Sequence, residues 1–357
     1  MHGFYNVTLR VDVSQKAFEI ERLSDSILKK TLGGKGLAIH LLLKFNPPGV
    51  GPLKAENHLI FATGPVSKTS LWGSCRHGVY TKSPLTGFYA ESYSGGPVAE
   101  AMASTGFDAV MIHGAAEEPV WLEICEDTVY FHSAAGLRRL NSYQTEDRIK
   151  AWLKTNRPQA RRTGVVCIGP TGEDQAAIAV IENDHGCRAG RTGVGAVMGS
   201  KKIKAVAFWG DRQKDLADAG LLGSFARDIA REAKVGPGVQ AYNNLRTPMR
   251  VDIMNTAGGF PARYWKNGKA GVFAEGEDRL TIFDTLIICR CYRDLYQWDP
   301  LATIIKAATG MELGVRQMRE IAGSVIDDTR RFNLREGLPA QDDRLALRLE
   351  SDGSMKQ

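Results

Sequence analysis

The sequence lacks the features that define several common protein classes. No stretch approaches the ~18 consecutive apolar residues that a membrane-spanning helix requires, and segment 1–12 shows no charged-then-apolar secretion signal. Its 46 Lys and Arg residues stand against 40 Asp and Glu residues, giving a net charge of +6 without a clustered basic tract. This mild balance disfavours a nucleic-acid partner and suits, at most, a compact anion. We therefore expect a cytoplasmic protein that binds neither a membrane nor a nucleic acid.

Cysteines are few and irregularly spaced, which argues against a disulfide framework and against a metal-binding quartet. The six cysteines lie at positions 75, 125, 167, 187, 289 and 291. Cys289 and Cys291 form a single C-x-C, which is a weak metal signal because such a site needs about four ligands. Taken alone, these residues predict two buried, reduced thiols.

The chain of 357 residues exceeds one ordinary domain, so two or three domains are expected. The alternation of Val7, Leu9 and Val11 with polar residues predicts a first strand, and a turn at Ser14 and Gln15 leads into a second. Short apolar runs continue the β pattern at 58–62, 78–81, 109–113, 120–124, 165–168, 176–181 and 205–209. Helical spacing follows at 217–235, 301–308 and 315–332. We predict an α+β chain, with a β-rich domain containing a few helices over 1–210, a reduced helical region over 211–348 and a polar tail over 349–357.

The glycine-rich segment 183–202 is the strongest local signal for a binding site. Its backbone amides and the guanidinium groups of Arg188 and Arg191 suit phosphate oxygens. Gly199-Ser200-Lys201 has the wrong order for a Walker A loop, and the glycines also miss the Rossmann spacing. From these residues alone, an anion-binding loop and a set of tight turns with a solvated basic face are equally good interpretations.

A second cluster runs over residues 73–96. Arg76 begins a predicted strand, and Ser94-Gly95-Gly96 precedes a predicted helix over 98–105. Small residues before a helix N-terminus favour an anion, because unpaired N–H groups and the helix dipole point the same way. A pair of hairpin turns is the alternative, and these residues alone slightly favour it.

Together the segments resemble the tungsten-containing aldehyde:ferredoxin oxidoreductase family over residues 3–270. The matching motifs, in order, are Gly3-Phe4-Tyr5-Asn6, Leu32-Gly33-Gly34-Lys35-Gly36-Leu37-Ala38, Gly64-Pro65, Thr81-Lys82-Ser83-Pro84-Leu85-Thr86-Gly87, Ser94-Gly95-Gly96, Ile168-Gly169-Pro170-Thr171-Gly172-Glu173 and Ala189-Gly190-Arg191 through Met198-Gly199-Ser200-Lys201. The resemblance implies that the first domain has two packed, mostly antiparallel β-sheets. It also implies a tungsten or molybdenum bis-pterin cofactor, a [4Fe–4S] cluster, and oxidation of an aldehyde to an acid with electrons passed to ferredoxin.

The resemblance further assigns site residues, although it assigns no catalytic one. The expected cofactor-binding residues are Arg76, Tyr93, Ser94, Gly95, Gly96, Arg188, Ala189, Gly190, Arg191, Gly193, Asp284 and Ile288. Asp284 to Cys289 resembles the family's D-x-x-G-L-C motif, whose Asp binds a pterin and whose Cys ligates the cluster. Cys289 is therefore the single candidate iron–sulfur ligand.

The chain also departs from the family pattern. Ile287 stands where the motif has glycine, and Tyr93 stands where the family has an asparagine that helps to hold the Mg²⁺ bridging the pterin phosphates. A phenol is a poorer ligand for a hard divalent ion than an amide carbonyl, which argues against Mg²⁺. Between Pro261 and Asp284 the chain lacks the family's C-x-x-C-x-x-x-C run, its first pterin motif and its acid/base residues. Three of the four cluster ligands are therefore missing.

Three hypotheses follow for function. The first is an oxidoreductase that acts on a small aldehyde and works with ferredoxin or an iron–sulfur subunit. The second is an inactive, internally deleted relative that serves as a cofactor-binding scaffold or forms a homodimer. The third is a nucleotide-binding protein that uses segment 188–202, which the two phosphate-loop mismatches disfavour. The residues favour the first for the class of protein and leave the second a close rival for its behaviour.

Overall fold

The computed structural model describes residues 1–235 and 270–339. Two six-stranded β-sheets lie within residues 7–209. The first sheet contains β1 (Val7–Asp12), β2 (Ala17–Arg22), β3 (Leu59–Ala62), β4 (Arg76–Lys82), β5 (Tyr89–Gly95) and β6 (Ala109–His113). The second contains β7 (Val120–Ile124), β8 (Val129–Ser133), β9 (Thr163–Cys167), β10 (Ile181–Asn183), β11 (Cys187–Ala189) and β12 (Ile203–Trp209).

The sheets share one pattern of strand pairing. Their spatial orders are β2-β1-β6-β3-β4-β5 and β11-β10-β9-β12-β7-β8. In both, every pairing is antiparallel except one, and the exceptions join β1 to β6 and β7 to β12. The predicted α+β class and the mostly antiparallel sheets are therefore confirmed.

The opening hairpin forms because its sequence alternates and its turn has a side-chain acceptor. Leu9 and Val11 are fully buried, as expected for the inward face of a half-buried strand. At the turn, the Asp12 carboxylate accepts hydrogen bonds from the backbone amides of Ser14 and Gln15, at 2.9 and 3.1 Å. An Asx turn of this kind fixes the reversal of the chain.

The two faces of the first sheet have different neighbours. One face packs against the second sheet through an apolar core that includes Phe61 and Phe208, whose ring centroids lie 6.1 Å apart. The opposite face packs against helices, because Ile60 and Tyr80 share a second core with Leu37 and Phe332. The helix-covered face is the one next to the candidate site described below.

Ten helices complete the described part of the chain. The first six are α1 (Asp25–Thr31), α2 (Gly34–Phe45), α3 (Val98–Ser104), α4 (Ser142–Asn156), α5 (Pro170–Glu173) and α6 (Val194–Ser200). The last four are α7 (Ala219–Val235), α8 (Ala270–Leu286), α9 (Trp298–Thr309) and α10 (Val315–Arg335). None of the helices described over 1–235 and 270–339 is both long enough and apolar enough to cross a bilayer.

Several sequence predictions need correction. The predicted strand at 176–181 is wrong except at its end, because β10 begins only at Ile181. The preceding residues instead support the start of α6, where the amide of Gly195 donates to the Ala179 carbonyl at 3.0 Å. Helix α8 was not predicted at all. The prediction of two buried thiols is also wrong, because Cys289 is partly buried and Cys291 is exposed.

The remaining helical predictions agree with the structure in position, and the division of the chain near residue 211 stays a prediction. On α10, Met318, Ala322 and Val325 recur at helical spacing and are buried, whereas Val315 at its start is 40% exposed. The predicted polar tail over 349–357 lies outside the described residues.

Candidate cofactor site

The two sheets meet along their edge strands β5 and β11. The amide of Arg191 donates to Ser92 Oγ at 3.0 Å. Ser94 Oγ donates to Asn183 Oδ1 at 2.7 Å, and Asn183 Nδ2 donates to the Gly95 carbonyl at 2.7 Å. We call this contact between β5 and the segment around β11 the seam. It brings the glycine-rich segment and the Ser94-Gly95-Gly96 loop together, although they lie far apart in sequence.

Arg76 lies at the same seam. It pairs with Gly95 across β4 and β5, and its guanidinium carbon lies 4.9 Å from the centroid of the Tyr93 ring. Among the residues of the two described ranges, neither Arg76 nor the exposed Arg191 forms a salt bridge. Arg76 and the backbone of Arg191 therefore both contact β5 close to Gly95, and neither guanidinium is paired with a carboxylate of the described residues.

The start of α3 binds an internal carboxylate. Asp184 Oδ2 accepts from the amide of Val98 at 3.1 Å and from Asn183 Nδ2 at 2.9 Å. A Cβ added to Gly96 would lie 2.5 Å from the same oxygen. The amide that sequence analysis offered to an external anion is therefore satisfied by Asp184, and glycine at 96 makes room for that carboxylate.

Within the glycine-rich segment, packing accounts for most of the glycines. Gly193 has a φ of +75°, and a Cβ there would lie 2.1 Å from the Ala177 carbonyl oxygen. Arg188 pairs with Glu182 across β10 and β11, Ala189 is buried and Gly190 is exposed. The exposed backbone at Gly190 and the side chain of Arg191 are thus the parts of this segment that face outward at the seam.

Asp284 lies near the C-terminal end of α8 and is 1% exposed. Arg290 binds it through both carboxylate oxygens, with Nε 3.0 Å from Oδ1 and Nη2 on Oδ2. Burial raises the pKa of Asp284, and the hydrogen bonds from Arg290 oppose that rise. The carboxylate is therefore held by the residue that follows Cys289, which sequence analysis did not identify.

A second, half-buried acid lies beside this pair. Glu91 Oε2 is 3.0 Å from Lys35 Nζ and accepts from the hydroxyls of Tyr89 and Tyr93 at 3.3 and 3.4 Å. Burial, followed by the negative charge of Asp284, raises the pKa of Tyr93. The alternation of residues 89, 91 and 93 along β5 was the available signal for this cluster, because it puts the three side chains on one face.

Glycines in distant motifs allow the end of α8 to pack closely. A Cβ added to Gly64 would lie 1.9 Å from the Leu286 carbonyl oxygen, and one added to Gly34 would lie 2.5 Å from the carbonyl oxygens of Asp284 and Thr285. The amide of Cys289 donates to the Gly73 carbonyl at 2.9 Å. These glycine motifs therefore hold Asp284 and Cys289 against the segments that flank α2, β3 and β4.

Ile288 has a packing role in this arrangement. It is fully buried in the apolar core formed by α8 and α9. Its side chain therefore packs in the core that lies next to Cys289. Other apolar residues of that core include Phe283 and Leu286.

The cysteines do not form an iron–sulfur site. All six lie within the described ranges, with Cys125 and Cys167 buried elsewhere in the second sheet. Burial raises the pKa of the Cys289 thiol, and the positive charge of Arg76 opposes that rise. Within the described residues, no group of three or more His, Cys, Asp and Glu side chains could hold a metal ion. A [4Fe–4S] cluster held by this chain alone therefore does not fit, whereas the guanidinium groups of Arg76 and Arg191, which form no salt bridge among the described residues, are each chemically suited to a phosphate.

Comparison with known proteins identifies the class. The family model described as "Aldehyde ferredoxin oxidoreductase, N-terminal domain" matches residues 8–210. The model described as "Aldehyde ferredoxin oxidoreductase, domains 2 & 3" matches residues 265–356. The chain therefore belongs to the aldehyde ferredoxin oxidoreductase family, with a shortened C-terminal part.

Individual relatives agree with this assignment. The tungsten-containing aldehyde ferredoxin oxidoreductases of Thermococcus kodakarensis and Pyrococcus furiosus are 36% and 35% identical over 272 residues, which cover 75% of this chain and 44% of each relative. The aliphatic sulfonate oxidoreductase, WOR-like subunit, of Pyrococcus furiosus is 32% identical over 219 residues, covering 58% of this chain and 34% of that protein. The chain thus spans less than half the length of these curated relatives.

A solved structure shares the fold over about two thirds of the chain. The active site complex BamBC of benzoyl coenzyme A reductase, in complex with 1,5-dienoyl-CoA, aligns with a TM-score of 0.61 and 31% identity. The alignment covers 65% of this chain and 35% of that one.

Proposed function

We propose that this chain is the cofactor-binding part of an oxidoreductase that uses a tungsten or molybdenum bis-pterin to oxidise an aldehyde, or a related oxo substrate, to an acid. The observation that supports this most directly is that Arg76, which lies over Tyr93, and the backbone of Arg191, which binds Ser92, both contact β5. Two unpaired guanidinium groups match the charge of phosphate groups, since forked N–H donors bind phosphate oxygens in pairs.

Each part of the site has a role in this proposal. Arg76 and Arg191 bind the phosphates, and the exposed backbone of Gly190 lets a phosphate approach closely. Asp284 accepts hydrogen bonds from the pterin ring. When bound, the metal cofactor supplies the redox chemistry, and the protein supplies binding, orientation and electrostatics. Mg²⁺ is not part of the proposal, because the Tyr93 hydroxyl donates to Glu91.

Electron transfer in this proposal requires a second protein. The cysteines of this chain do not form a cluster site, so the electrons leave through ferredoxin or an iron–sulfur subunit. Two relatives support an assembly, since one is named as a WOR-like subunit and the structural match is an active site complex. The substrate, the choice of metal and the cytoplasmic location stay predictions.

Metal and pterin analysis tests the proposal. The full chain is purified from cells that make the pterin cofactor and are supplied with tungstate and molybdate, and its metal content and released pterin fluorescence are measured. We expect metal and pterin to co-purify with the wild-type chain and to fall together in Arg76→Met. Arg316→Met is the matched control, because that side chain is 91% exposed on α10. Absence of both metal and pterin from the wild-type chain would reject the proposal.

One observation favours the alternative of an inactive scaffold. Asp284 is already bound by Arg290 in the described structure, so the site is internally satisfied without a cofactor. A scaffold that binds no cofactor should have the same melting temperature and oligomeric mass whether or not its host makes the cofactor. Aldehyde oxidation by the purified single chain with a viologen acceptor would exclude this alternative, and sedimentation of the purified chain would establish whether it forms a homodimer.

A further inference from the structure

The two side chains of the ion pair between Asp284 and Arg290 differ strongly in their exposure to solvent. The Asp284 side chain is 1% exposed, whereas that of Arg290 is 39% exposed. Arg290 begins a short 3₁₀ turn, Arg290–Tyr292, that follows α8 and the Cys289 contact with Gly73. The carboxylate is therefore fixed on a helix, and its partner reaches it from a short turn that is open to solvent on one side.

The other positive side chains near this ion pair differ in whether they have an acidic partner. Lys35 is occupied by Glu91 at 3.0 Å. The Arg76 guanidinium lies over the Tyr93 ring and forms no salt bridge within the described residues. The guanidinium of Arg76 is thus available to bind a phosphate. Both carboxylate oxygens of Asp284, by contrast, already accept hydrogen bonds from Arg290.

The geometry of the Arg290 contact indicates what else Asp284 could bind. A guanidinium presents two parallel N–H donors in one plane, which match the two oxygens of a carboxylate. The 2-amino-4-oxo edge of a pterin contains the same N–C–N unit with an amino group and a ring N–H. Both groups are therefore planar two-donor ligands for a carboxylate, and they cannot use the same edge of Asp284 together.

We propose that Arg290 is an internal mimic of the pterin ring, which occupies Asp284 in the cofactor-free chain and leaves it when the cofactor binds. This inference rests on the proposed function. It gives Arg290 a positioning role: it neutralises a buried carboxylate that would otherwise lack a partner, and it limits access to that carboxylate to ligands with a two-donor edge.

Chemical rescue of cofactor-free protein tests the mimic directly. Arg290→Ala removes the fork, and its melting temperature should rise with millimolar methylguanidinium or with free 2-amino-4-oxopteridine. Methylammonium at equal ionic strength should not raise it, because it is not planar and lacks the two-donor edge. The double variant Asp284→Asn/Arg290→Ala should respond to neither ligand. If neither ligand stabilises Arg290→Ala, or if methylammonium does so equally, the inference is wrong.

Arg290→Met keeps the experiment decisive if the alanine variant does not fold, because methionine retains an apolar stem in place of the arginine methylenes. Free pterin should bind Arg290→Met about tenfold or more tightly than wild type, since an occupied site lowers the apparent affinity by the fraction of chains that are open. Arg319→Met is the matched control, because it removes a guanidinium from another acid of α8, Asp278, at 2.9 Å. Equal pterin affinity in wild type and Arg290→Met would overturn the inference.

Arginine labelling separates this inference from the proposed function. Wild-type chain is purified from cofactor-supplied and cofactor-deficient cells, treated with phenylglyoxal and mapped by mass spectrometry. Loading should increase labelling of Arg290 and decrease that of Arg76, with Arg319 unchanged. Tungsten and pterin present with unchanged Arg290 labelling would refute the mimic alone. Their absence from every preparation would refute the proposed function, and the mimic with it.

Discussion

Ile287 combines full burial with a left-handed backbone. Its φ is 55° and its side chain is 1% exposed. A β-branched residue in this conformation costs roughly 1–2 kcal/mol, because Cβ approaches the following carbonyl oxygen. The chain accepts this strain at the turn that leads from Asp284 to Cys289, where the family motif has glycine.

This strain predicts that the usual order of stability of alanine and glycine variants is reversed at Ile287. Ile287→Ala should cost about 2–5 kcal/mol of unfolding free energy, as expected for a buried isoleucine, and Ile287→Gly should be the more stable of the two variants. Glycine is ordinarily less stable than alanine by roughly 0.5–1 kcal/mol, but it has no penalty at this φ. Urea unfolding of both variants measures the order.

The neighbouring residue supplies the control for that order. Ile288 is equally buried and lacks a positive φ, so Ile288→Ala should be more stable than Ile288→Gly. The same order at both positions would show that the backbone at Ile287 is not strained.

At the residue scale, the sequence indicates which side chains matter more readily than it indicates their partners. Arg76 and Asp284 could be identified from motif order, because each stands in a recognisable segment. Arg290 and Glu91 could not, because their importance arises from contacts that exist only after folding. Asp184 is similar, since its contact with the α3 amide depends on two sheets meeting edge to edge.

Helix α8 is positioned by glycines that lie in other elements. The Gly64 backbone approaches the Leu286 carbonyl so closely that an added Cβ would lie 1.9 Å from its oxygen. Because the contact is with backbone, no flexible side chain can move aside. The docking of α8 thus depends on a glycine more than two hundred positions earlier in the chain.

Gly64→Ala should therefore weaken this docking by about 1–3 kcal/mol, the usual cost of overpacking. The effect should appear as faster hydrogen exchange over 276–289 before other segments change. Gly276→Ala, on α8 itself, is the matched control, because no atom outside its own helix lies within 4 Å of the added Cβ. It should stabilise the protein slightly, since alanine favours the helix. Unchanged exchange in Gly64→Ala would contradict this account of the docking.

At the element scale, the periodicity of apolar residues predicts a helix or strand correctly where one face of that element is polar. The opening hairpin and α10 have such faces and were predicted close to their observed bounds. Segment 176–181 is apolar and its pattern predicts a strand, but its carbonyl groups pack against Gly193 and Gly195 at the start of α6. Helix α8 was missed because its apolar and polar residues do not separate cleanly around the helix axis.

The β-sheets and the C-terminal helices are also linked by a buried ion pair. The Glu336 side chain, just after α10, is fully buried and lies 2.5 Å from Lys82 Nζ at the end of β4, which is 7% exposed. Its carboxylate also accepts from the amide of Gly49 at 3.0 Å. A buried charge whose partner is removed is strongly destabilising, because water cannot replace the lost interaction.

Glu336→Gln should therefore lower the free energy of unfolding by about 3–5 kcal/mol, since it leaves Lys82 buried without its counter-charge. Because the pair joins both parts of the chain, the loss should appear in one cooperative transition rather than in the helices alone. Circular dichroism and tryptophan fluorescence in urea measure this, and Glu320→Gln on the exposed side of α10 is the control that should change little. If the helical signal in Glu336→Gln melts well before the tryptophan signal, the loss is confined to the helices and the prediction of one cooperative transition is wrong.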